Sequence, residues 1–148
     1  MSGMSDKTIA VTEKTLALLA LATSAREKAH VPYSRFPVGV ALRTHSGSVH
    51  TGCNIENASY PEGWCAETSA ISAMIMASSE VADSRSIEEL VVIADHTPPI
   101  TPCGGCRQRI REFGRPDTII HAADLTGIRQ SFTLEALLPA AFDLEENR

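Results

Sequence analysis

The sequence predicts an α/β fold in three layers, with a mixed β-sheet between helices. Predicted helices and strands alternate after an initial hairpin, and a short apolar run at 90–94 is typical of a buried strand. Strands that alternate with helices pair in parallel through right-handed crossovers. The hairpin adds an antiparallel pair, so the sheet is expected to be mixed, with helices on both faces.

The first half of the chain is predicted to contain one helix and the hairpin. Apolar and small residues over Thr12–Ala29 recur at helical spacing, and we expect Pro32 to end this helix. Val38–Thr44 and Ser48–Cys53 are predicted strands, and His45–Gly47 forms the turn between them.

In the second half, helices and strands are predicted to alternate, and Gly114 is a suitable residue to end the second of these helices. The predicted order is helix 65–79, strand 90–94, helix 103–114, strand 118–122 and helix 133–138.

The composition is ordinary for one globular domain. The chain has 148 residues, of which 43% are hydrophobic and 21% charged. We expect a single domain over residues 1–148, with a core of about 12–142 and flexible ends. The acidic residues Asp143, Glu145 and Glu146 are interpreted as a solvated tail. A net charge of −5 argues against a nucleic-acid partner.

Neither a membrane nor a secreted location is predicted. No segment has the ~20 apolar residues needed to span a bilayer. The apolar run at 16–22 follows Asp6 and Glu13 and lacks a cleavage pattern, so it does not resemble a signal peptide. We expect a cytosolic protein, in which clustered cysteines more often bind metal than form disulfides.

Three cysteines lie at the predicted starts of two helices. Cys65 opens one helix, and Cys103 and Cys106 open another in a C-x-x-C spacing. The positive end of a helix favours thiolates. Three thiolates hold Zn²⁺ and leave its fourth tetrahedral position free, which suggests catalysis, because structural zinc sites are usually closed by four protein ligands.

Other interpretations of these cysteines are a redox pair or simple burial. Pro102 before the pair and the Cys65-Ala66-Glu67 motif favour zinc over both. Cys53 lies in a predicted strand without such a motif, so we expect it to be a core residue and not a ligand.

Glu67, two residues after the first predicted ligand, could transfer the proton of a metal-activated water. Its alternative role is to stabilise the start of a helix as an acidic residue. The motif therefore predicts hydrolytic chemistry.

A site with three thiolates has an electrostatic difficulty. Three negative charges on a dipositive ion leave a net charge near minus one, which weakens the effect of zinc on water. Hydrogen-bond donors to the sulfurs would restore part of this effect. Candidate donors are the backbone N–H groups at the two helix starts and Arg107, for which a surface salt bridge is the alternative.

Five segments together resemble the cytidine deaminase family. The motifs at 65–67 and 102–108 are those of zinc nucleobase and nucleoside deaminases. The segments 31–39, 52–60 and 137–142 are similar to the small, homotetrameric, three-cysteine form of the family. The resemblance covers about residues 12–142.

The resemblance implies a cytidine-deaminase-like fold with a five-stranded sheet. It implies hydrolysis of cytidine and deoxycytidine to uridine and deoxyuridine, with release of ammonia, in pyrimidine salvage. Cys65, Cys103 and Cys106 would bind one zinc ion per chain, and Glu67 would transfer protons.

It also implies a nucleoside site. Asn54 and Glu56 would hydrogen-bond the ribose hydroxyls, and Phe36 would pack on the pyrimidine, roles that suit their chemistry. Considered alone, Asn54 and Glu56 would be turn residues and Phe36 a core residue.

In tetramers of this form, neighbouring subunits close each other's pockets. Ala58, Tyr60 and Phe142 match positions that do so, although each could equally be an ordinary buried or interface residue.

The chain departs from the family pattern at two positions. Thr68 stands where many members have an arginine that hydrogen-bonds the cysteine sulfurs, and Trp64 replaces a smaller aliphatic residue. Threonine can donate one hydrogen bond but carries no charge.

Two other functions stay open from the sequence. The enzyme could deaminate a different aminated base, such as a nucleoside antibiotic or a modified cytidine. A zinc-stabilised binding module would need a fourth protein ligand, either Cys53 or a histidine. Editing of RNA or DNA is disfavoured because the chain lacks a basic surface signature.

Overall fold

The computed structural model describes residues 8–144, and all structural statements concern this part of the chain. Within it lie four α-helices, five β-strands and a short 3₁₀ helix at Tyr60–Glu62. In chain order they are α1 Glu13–Arg26, β1 Val38–Thr44, β2 Val49–Cys53, α2 Ala66–Ala77, β3 Ile87–Ala94, α3 Gly104–Phe113, β4 Gly114–Asp124, β5 Gly127–Thr133 and α4 Leu134–Leu137.

The five strands form one mixed sheet in the order β2-β1-β3-β4-β5. β1 pairs antiparallel with both β2 and β3, β3 pairs parallel with β4, and β4 pairs antiparallel with β5. β2 and β3 therefore run in the same direction on either side of β1. The expected parallel orientation of strands separated by helices is confirmed.

Apolar side chains on the two faces of the sheet form two separate cores. On one face, buried residues of β1, β3 and β4 pack with α2, α3 and α4. On the other face, a smaller cluster packs with α1. We call these the α2 face and the α1 face. The predicted three-layer fold is confirmed.

Two glycines let helices lie directly on the sheet. A Cβ at Gly39 would lie 2.0 Å from the Ala22 carbonyl oxygen of α1, and a Cβ at Gly52 would lie 2.3 Å from the Ala70 nitrogen of α2. Any side chain at either position would push a helix away from the sheet. Gly52 thereby fixes α2 beside the end of β2.

Most predicted elements agree with the structure to within a few residues. The strand expected at 118–122 begins earlier, at Gly114, and the first helix ends at Arg26 and not at Ala29. Turn hydrogen bonds from the N–H groups of Lys28 and Ala29 close the helix well before Pro32. Thr12 and Thr15 exchange side-chain and backbone hydrogen bonds as a capping box at its start.

β5 was not predicted from its residues, although the family resemblance implied five strands. Its side chains are half-buried or exposed, so the strand lacks a clear apolar alternation. Gly127, with a φ of 131°, completes the turn from β4.

The acidic end of the chain is not simply solvated. The Asp143 carboxylate accepts a 2.6 Å hydrogen bond from Arg111 of α3. This interpretation of Asp143 is therefore wrong, since its carboxylate is an ion-pair partner with a mostly buried side chain. Glu145 and Glu146 lie outside the described residues, as do residues 1–7 and 145–148 of the two ends that were expected to be flexible on either side of the core at about 12–142.

Among residues 8–144, the structure contains no helix that is both long and apolar enough to cross a membrane.

Candidate metal centre and active site

The topology gathers the loops that follow β2 and β3 at one edge of the sheet. Gly39 near the start of β1 pairs with Cys53 at the end of β2, and Val38 pairs with Ala94 at the end of β3. The chain segments that lead into α2 and α3 leave from this edge. In α/β folds, the edge beyond the carboxyl ends of strands is a common place for a site.

Three cysteine sulfurs converge there. Cys65 is the N-cap of α2, Cys103 is the N-cap of α3, and Cys106 lies in the first turn of α3. Their sulfur atoms all lie within 4.8 Å of one another. All are free thiols, and they range from exposed Cys103 to fully buried Cys106. The predicted convergence of these three residues is confirmed.

The thiols perturb one another strongly. A hydrogen bond from the Cys106 thiol lowers the pKa of Cys65 to about 6. Donating this hydrogen bond raises the pKa of Cys106 well above its ordinary value, and burial adds to the effect. The cluster therefore favours an anion on Cys65.

Glu67 is buried in the first turn of α2, with 5% of its surface exposed. Burial raises the pKa of Glu67, against opposing contributions from a backbone hydrogen bond, Cys106 and the charge of Arg109. A carboxyl group held in this way takes up and releases protons closer to neutral pH than an exposed one.

The interpretation of Arg107 as a donor to the sulfurs is wrong. Its guanidinium donates to the Pro102 carbonyl, the Leu137 carbonyl and the Thr101 hydroxyl at 2.7–2.9 Å. These three hydrogen bonds join the segment before Cys103 to α4, so Arg107 stabilises the loop that carries the ligand.

The helix starts do not supply the expected donors either. Neither Cys65 nor Cys103 accepts a hydrogen bond from its own helix as an N-cap. Thr68 Oγ1 is buried and has no hydrogen-bond partner among the described residues.

Arg109 donates a hydrogen bond to a cysteine sulfur, a role that was not predicted from the sequence. Its Nη1 donates to Cys106 Sγ at 3.8 Å. Arg109 lies three positions after Cys106, a helical spacing that brings the two side chains together.

Cys53 is half-buried and belongs to neither core cluster, so the prediction of a core position is wrong. It sits at the very end of β2, where its carbonyl accepts a hydrogen bond from Ser69 at 2.8 Å. Within residues 8–144, the group of converging metal-ligating atoms contains neither Cys53 nor a histidine.

Asn54 and Phe36 are held against each other beside the metal-ligand segments. The Asn54 amide donates to the Phe36 carbonyl and accepts from the Val38 N–H, both at 2.9 Å. The half-buried Phe36 ring packs against the core of the α2 face and edge-on to His96, with 6.2 Å between ring centres. The amide of Asn54 thus keeps one N–H and one lone pair for another partner.

Glu56 lines an open pocket of about 370 Å³ whose wall also includes Tyr33, Ser34 and Tyr60. Its Oε1 accepts 3.0 Å hydrogen bonds from the N–H groups of Tyr33 and Ser34. Hydrogen bonds from the Ser34 hydroxyl and N–H lower the pKa of Glu56. The carboxylate is therefore fixed as an anion that can accept further hydrogen bonds.

The three positions expected to reach a neighbouring subunit are all exposed. Ala58 lies in the loop after β2, Tyr60 is 74% exposed and packs edge-on to Tyr33, and Phe142 is 69% exposed. Gln108 of α3 donates to the Phe142 carbonyl at 3.1 Å, which keeps this end of the chain near α3.

The chain is similar to known proteins along most of its length. Residues 12–122 match the family model described as the cytidine and deoxycytidylate deaminase zinc-binding region. This chain belongs to that family. Its resemblance to the family, inferred from the motifs, is confirmed.

Curated relatives and solved structures agree with this assignment. The chain is 42% identical to a cytidine deaminase from Sporosarcina psychrophila, over 87% of this chain and 91% of the relative. It is 45% identical to one from Halalkalibacterium halodurans, over 87% and 94%. A crystal structure of cytidine deaminase from Burkholderia pseudomallei matches with a TM-score of 0.78 and 39% identity, over 86% of this chain and 98% of that one.

Membership of the deaminase family makes the chain an enzyme of the hydrolase class and explains the cysteine cluster. The matched family region is described as zinc-binding, and it includes the segments that carry Cys65, Cys103 and Cys106.

Proposed function

We propose that this enzyme deaminates cytidine and deoxycytidine hydrolytically, with the products uridine or deoxyuridine and ammonia, and that it uses one zinc ion per chain. The observation that carries the proposal is the convergence of three cysteine sulfurs from two helix starts, beside the buried carboxyl group of Glu67.

The donor set suits zinc. Zinc–sulfur bonds of about 2.3 Å at tetrahedral angles put sulfurs about 3.8 Å apart, and the three sulfurs here lie within 4.8 Å of one another. Cys65, Cys103 and Cys106 would hold the ion. When bound, zinc would act as a Lewis acid that activates water for addition to C4 of the cytosine ring.

Glu67 would transfer the protons that this reaction requires. Hydrolysis of an amino-pyrimidine adds a proton to N3 and a second proton to the departing amine. Because burial raises the pKa of Glu67, its carboxyl group can both accept a proton from water and return it to the substrate.

Phe36, Asn54 and Glu56 would bind the nucleoside. An aromatic face packs on a pyrimidine, and the free hydrogen-bonding positions of Asn54 suit a sugar hydroxyl. The Glu56 carboxylate accepts from hydroxyl groups and lines an open pocket large enough for a sugar. These residues favour a nucleoside over a free base.

We further propose a homotetramer in which subunits share active sites. Ala58, Tyr60 and Phe142 would contact the neighbouring subunit's pocket, and the high exposure of both aromatic side chains in the single chain supports this role. The free thiols of the metal centre suit the reducing cytosol, where we place the enzyme in pyrimidine salvage.

The proposal is tested with purified, zinc-loaded protein and a panel of cytidine, deoxycytidine, cytosine and modified cytidines. We expect ammonia and uridine or deoxyuridine to form in equal amounts from the two nucleosides, with little turnover of cytosine. Prolonged dialysis against a chelator should abolish turnover, and added zinc should restore it. Turnover of another aminated base in preference to both nucleosides would contradict the substrate assignment.

A further inference from the structure

We propose that Arg109 is a positioning residue that acts through the Cys106 sulfur to balance the negative charge of the three-thiolate metal centre. The inference rests on the proposed zinc site and concerns a residue outside the cysteine and glutamate motifs. It starts from the contact between Arg109 Nη1 and Cys106 Sγ at 3.8 Å.

The cluster needs a cation when it is metal-loaded. When zinc is bound, all three cysteines are thiolates, and with Zn²⁺ they carry a net charge of about minus one. A positive charge beside the Cys106 sulfur therefore stabilises the loaded state. The buried position of Cys106 strengthens this interaction, because less solvent screens it.

Other candidates for this role do not reach the sulfurs. The guanidinium of Arg107 donates its hydrogen bonds to the 101–102 segment and to α4. Thr68 carries no charge, and its buried hydroxyl has no partner in the part of the chain that the structure describes. Among residues 8–144, the described hydrogen bonds bring one cationic side chain, Arg109, to a sulfur of the cluster.

The helix geometry lets the side chain of residue 109 reach the cluster. Side chains on a helix lean toward its N-terminus and lie over residues three and four positions earlier. For Arg109 these positions are Cys106 and Gly105. A Cβ at Gly105 would lie 3.3 Å from Arg109 Nη1, so the glycine leaves room for the guanidinium.

The orientation of Arg109 also runs against the helix dipole. Cations are favoured at the C-terminal end of a helix and disfavoured at its N-terminal end. A guanidinium that folds back toward the first turn of α3 is therefore best explained by an anionic partner there. The thiolates of the metal-loaded cluster would be that partner.

The test compares Arg109→Gln, which removes the charge, with Arg109→Lys, which keeps it. Arg115→Gln is the matched control, because it removes an arginine of β4 from an exposed ion pair with Asp83. Zinc affinity is measured by competition with a chromogenic chelator. The energy of the thiolate-to-metal charge-transfer band is measured in the cobalt-substituted protein.

We expect Arg109→Gln to lower zinc affinity about 10- to 100-fold, the usual effect of losing a group that supports a metal ligand. Its cobalt charge-transfer band should move to longer wavelength, since the sulfur electrons lose a stabilising charge. Arg109→Lys and Arg115→Gln should stay close to the wild type. A merely structural role for Arg109 would leave the band unchanged.

Several results would overturn the inference. These are unchanged affinity and an unmoved band in Arg109→Gln, an equal loss in Arg109→Lys, or an equal loss in Arg115→Gln. Wild-type protein that binds neither zinc nor cobalt would refute the metal centre itself, and with it this inference. That failure is distinguishable, because it appears before any variant is compared.

Discussion

The buried polar groups on the two faces of the sheet differ in how fully they are hydrogen-bonded within the chain. On the α1 face, the Glu89 carboxylate accepts hydrogen bonds from Thr15 of α1, Arg43 of β1 and His121 of β4. The other ring nitrogen of His121 lies 2.6 Å from Ser131 Oγ. Every member of this network has a partner within the chain.

On the α2 face, the polar groups at the helix starts are not balanced in this way. Glu67 is buried with a raised pKa, and Thr68 Oγ1 has no partner among the described residues. Three thiols crowd together beside them. A polar network whose hydrogen bonds are all made within the chain contributes to stability. Buried polar groups without such partners are typical of a functional site, where a metal or a substrate would supply the missing interactions.

The largest expected effect is on activity, from Glu67→Gln on the α2 face. Loss of the proton carrier should lower kcat about 10²- to 10⁴-fold, with the zinc content unchanged. Stability should not fall, because burial already disfavours the charge that the substitution removes. Steady-state ammonia release and metal analysis check this prediction, and turnover close to wild type would show that Glu67 has another role.

The next effect is on stability, from Glu89→Gln on the α1 face. The variant leaves Arg43 with a weakened partner in a mostly buried position, which should lower the free energy of unfolding by about 3 kcal/mol. The kcat of the folded enzyme should be retained. Urea unfolding gives the loss, and Glu88→Gln is the control, since Glu88 pairs with the same arginine but is 48% exposed.

The same network predicts a pH dependence. Burial raises the pKa of Glu89, but hydrogen bonds from His121, Thr15 and Arg43 outweigh it and lower the pKa to about 2. Because the pKa is lower in the folded than in the unfolded chain, this stabilisation is present at neutral pH and is lost as the pH falls from about 5 to 2. The stability difference between wild type and Glu89→Gln should shrink over that range. A constant difference would contradict the assigned pKa.

The two glycines on which the helices pack give a smaller effect, one on each face of the sheet. Gly52→Ala should destabilise the fold by about 1–3 kcal/mol and also lower zinc content, since it displaces α2, which begins at Cys65. Gly39→Ala should destabilise the fold by displacing α1 while its folded fraction keeps zinc. Equal zinc loss in both variants, measured per folded chain, would mean that the two faces are not independent.

The smallest effect concerns the nucleoside pocket. Glu56→Gln should raise KM for cytidine about tenfold, as expected for a hydrogen bond to a charged group, with a much smaller change in kcat. Asn57→Asp, which places a new carboxylate at the neighbouring pocket residue, is a comparison variant. An unchanged KM in Glu56→Gln would remove Glu56 from the sugar site.

The sequence predicted much of the fold and the ligand set, for physical reasons. Cys65, Cys103 and Cys106 carry a spacing that few structures other than a metal site require, and the helices that they begin have clear starts. Strand β5 was missed because an edge strand with half-buried side chains has no strong apolar alternation.

The role of the arginines in α3 could not be assigned from the sequence. Arg107 and Arg109 differ by two positions, which turns them to different sides of the helix. Which of them meets a sulfur depends on where α4 and the 101–102 segment pack, and this is tertiary information. Cys53 was misplaced for a similar reason, since its position at the end of β2 exposes part of it.

We propose that the three-cysteine cluster is a metal centre open to substrate. X-ray absorption at the zinc edge of the purified enzyme, together with zinc content per chain, tests it most directly. We predict one zinc per chain with three sulfur neighbours. Four sulfur neighbours, which would bring in Cys53 and close the site, or a chain that holds no zinc, would contradict the account.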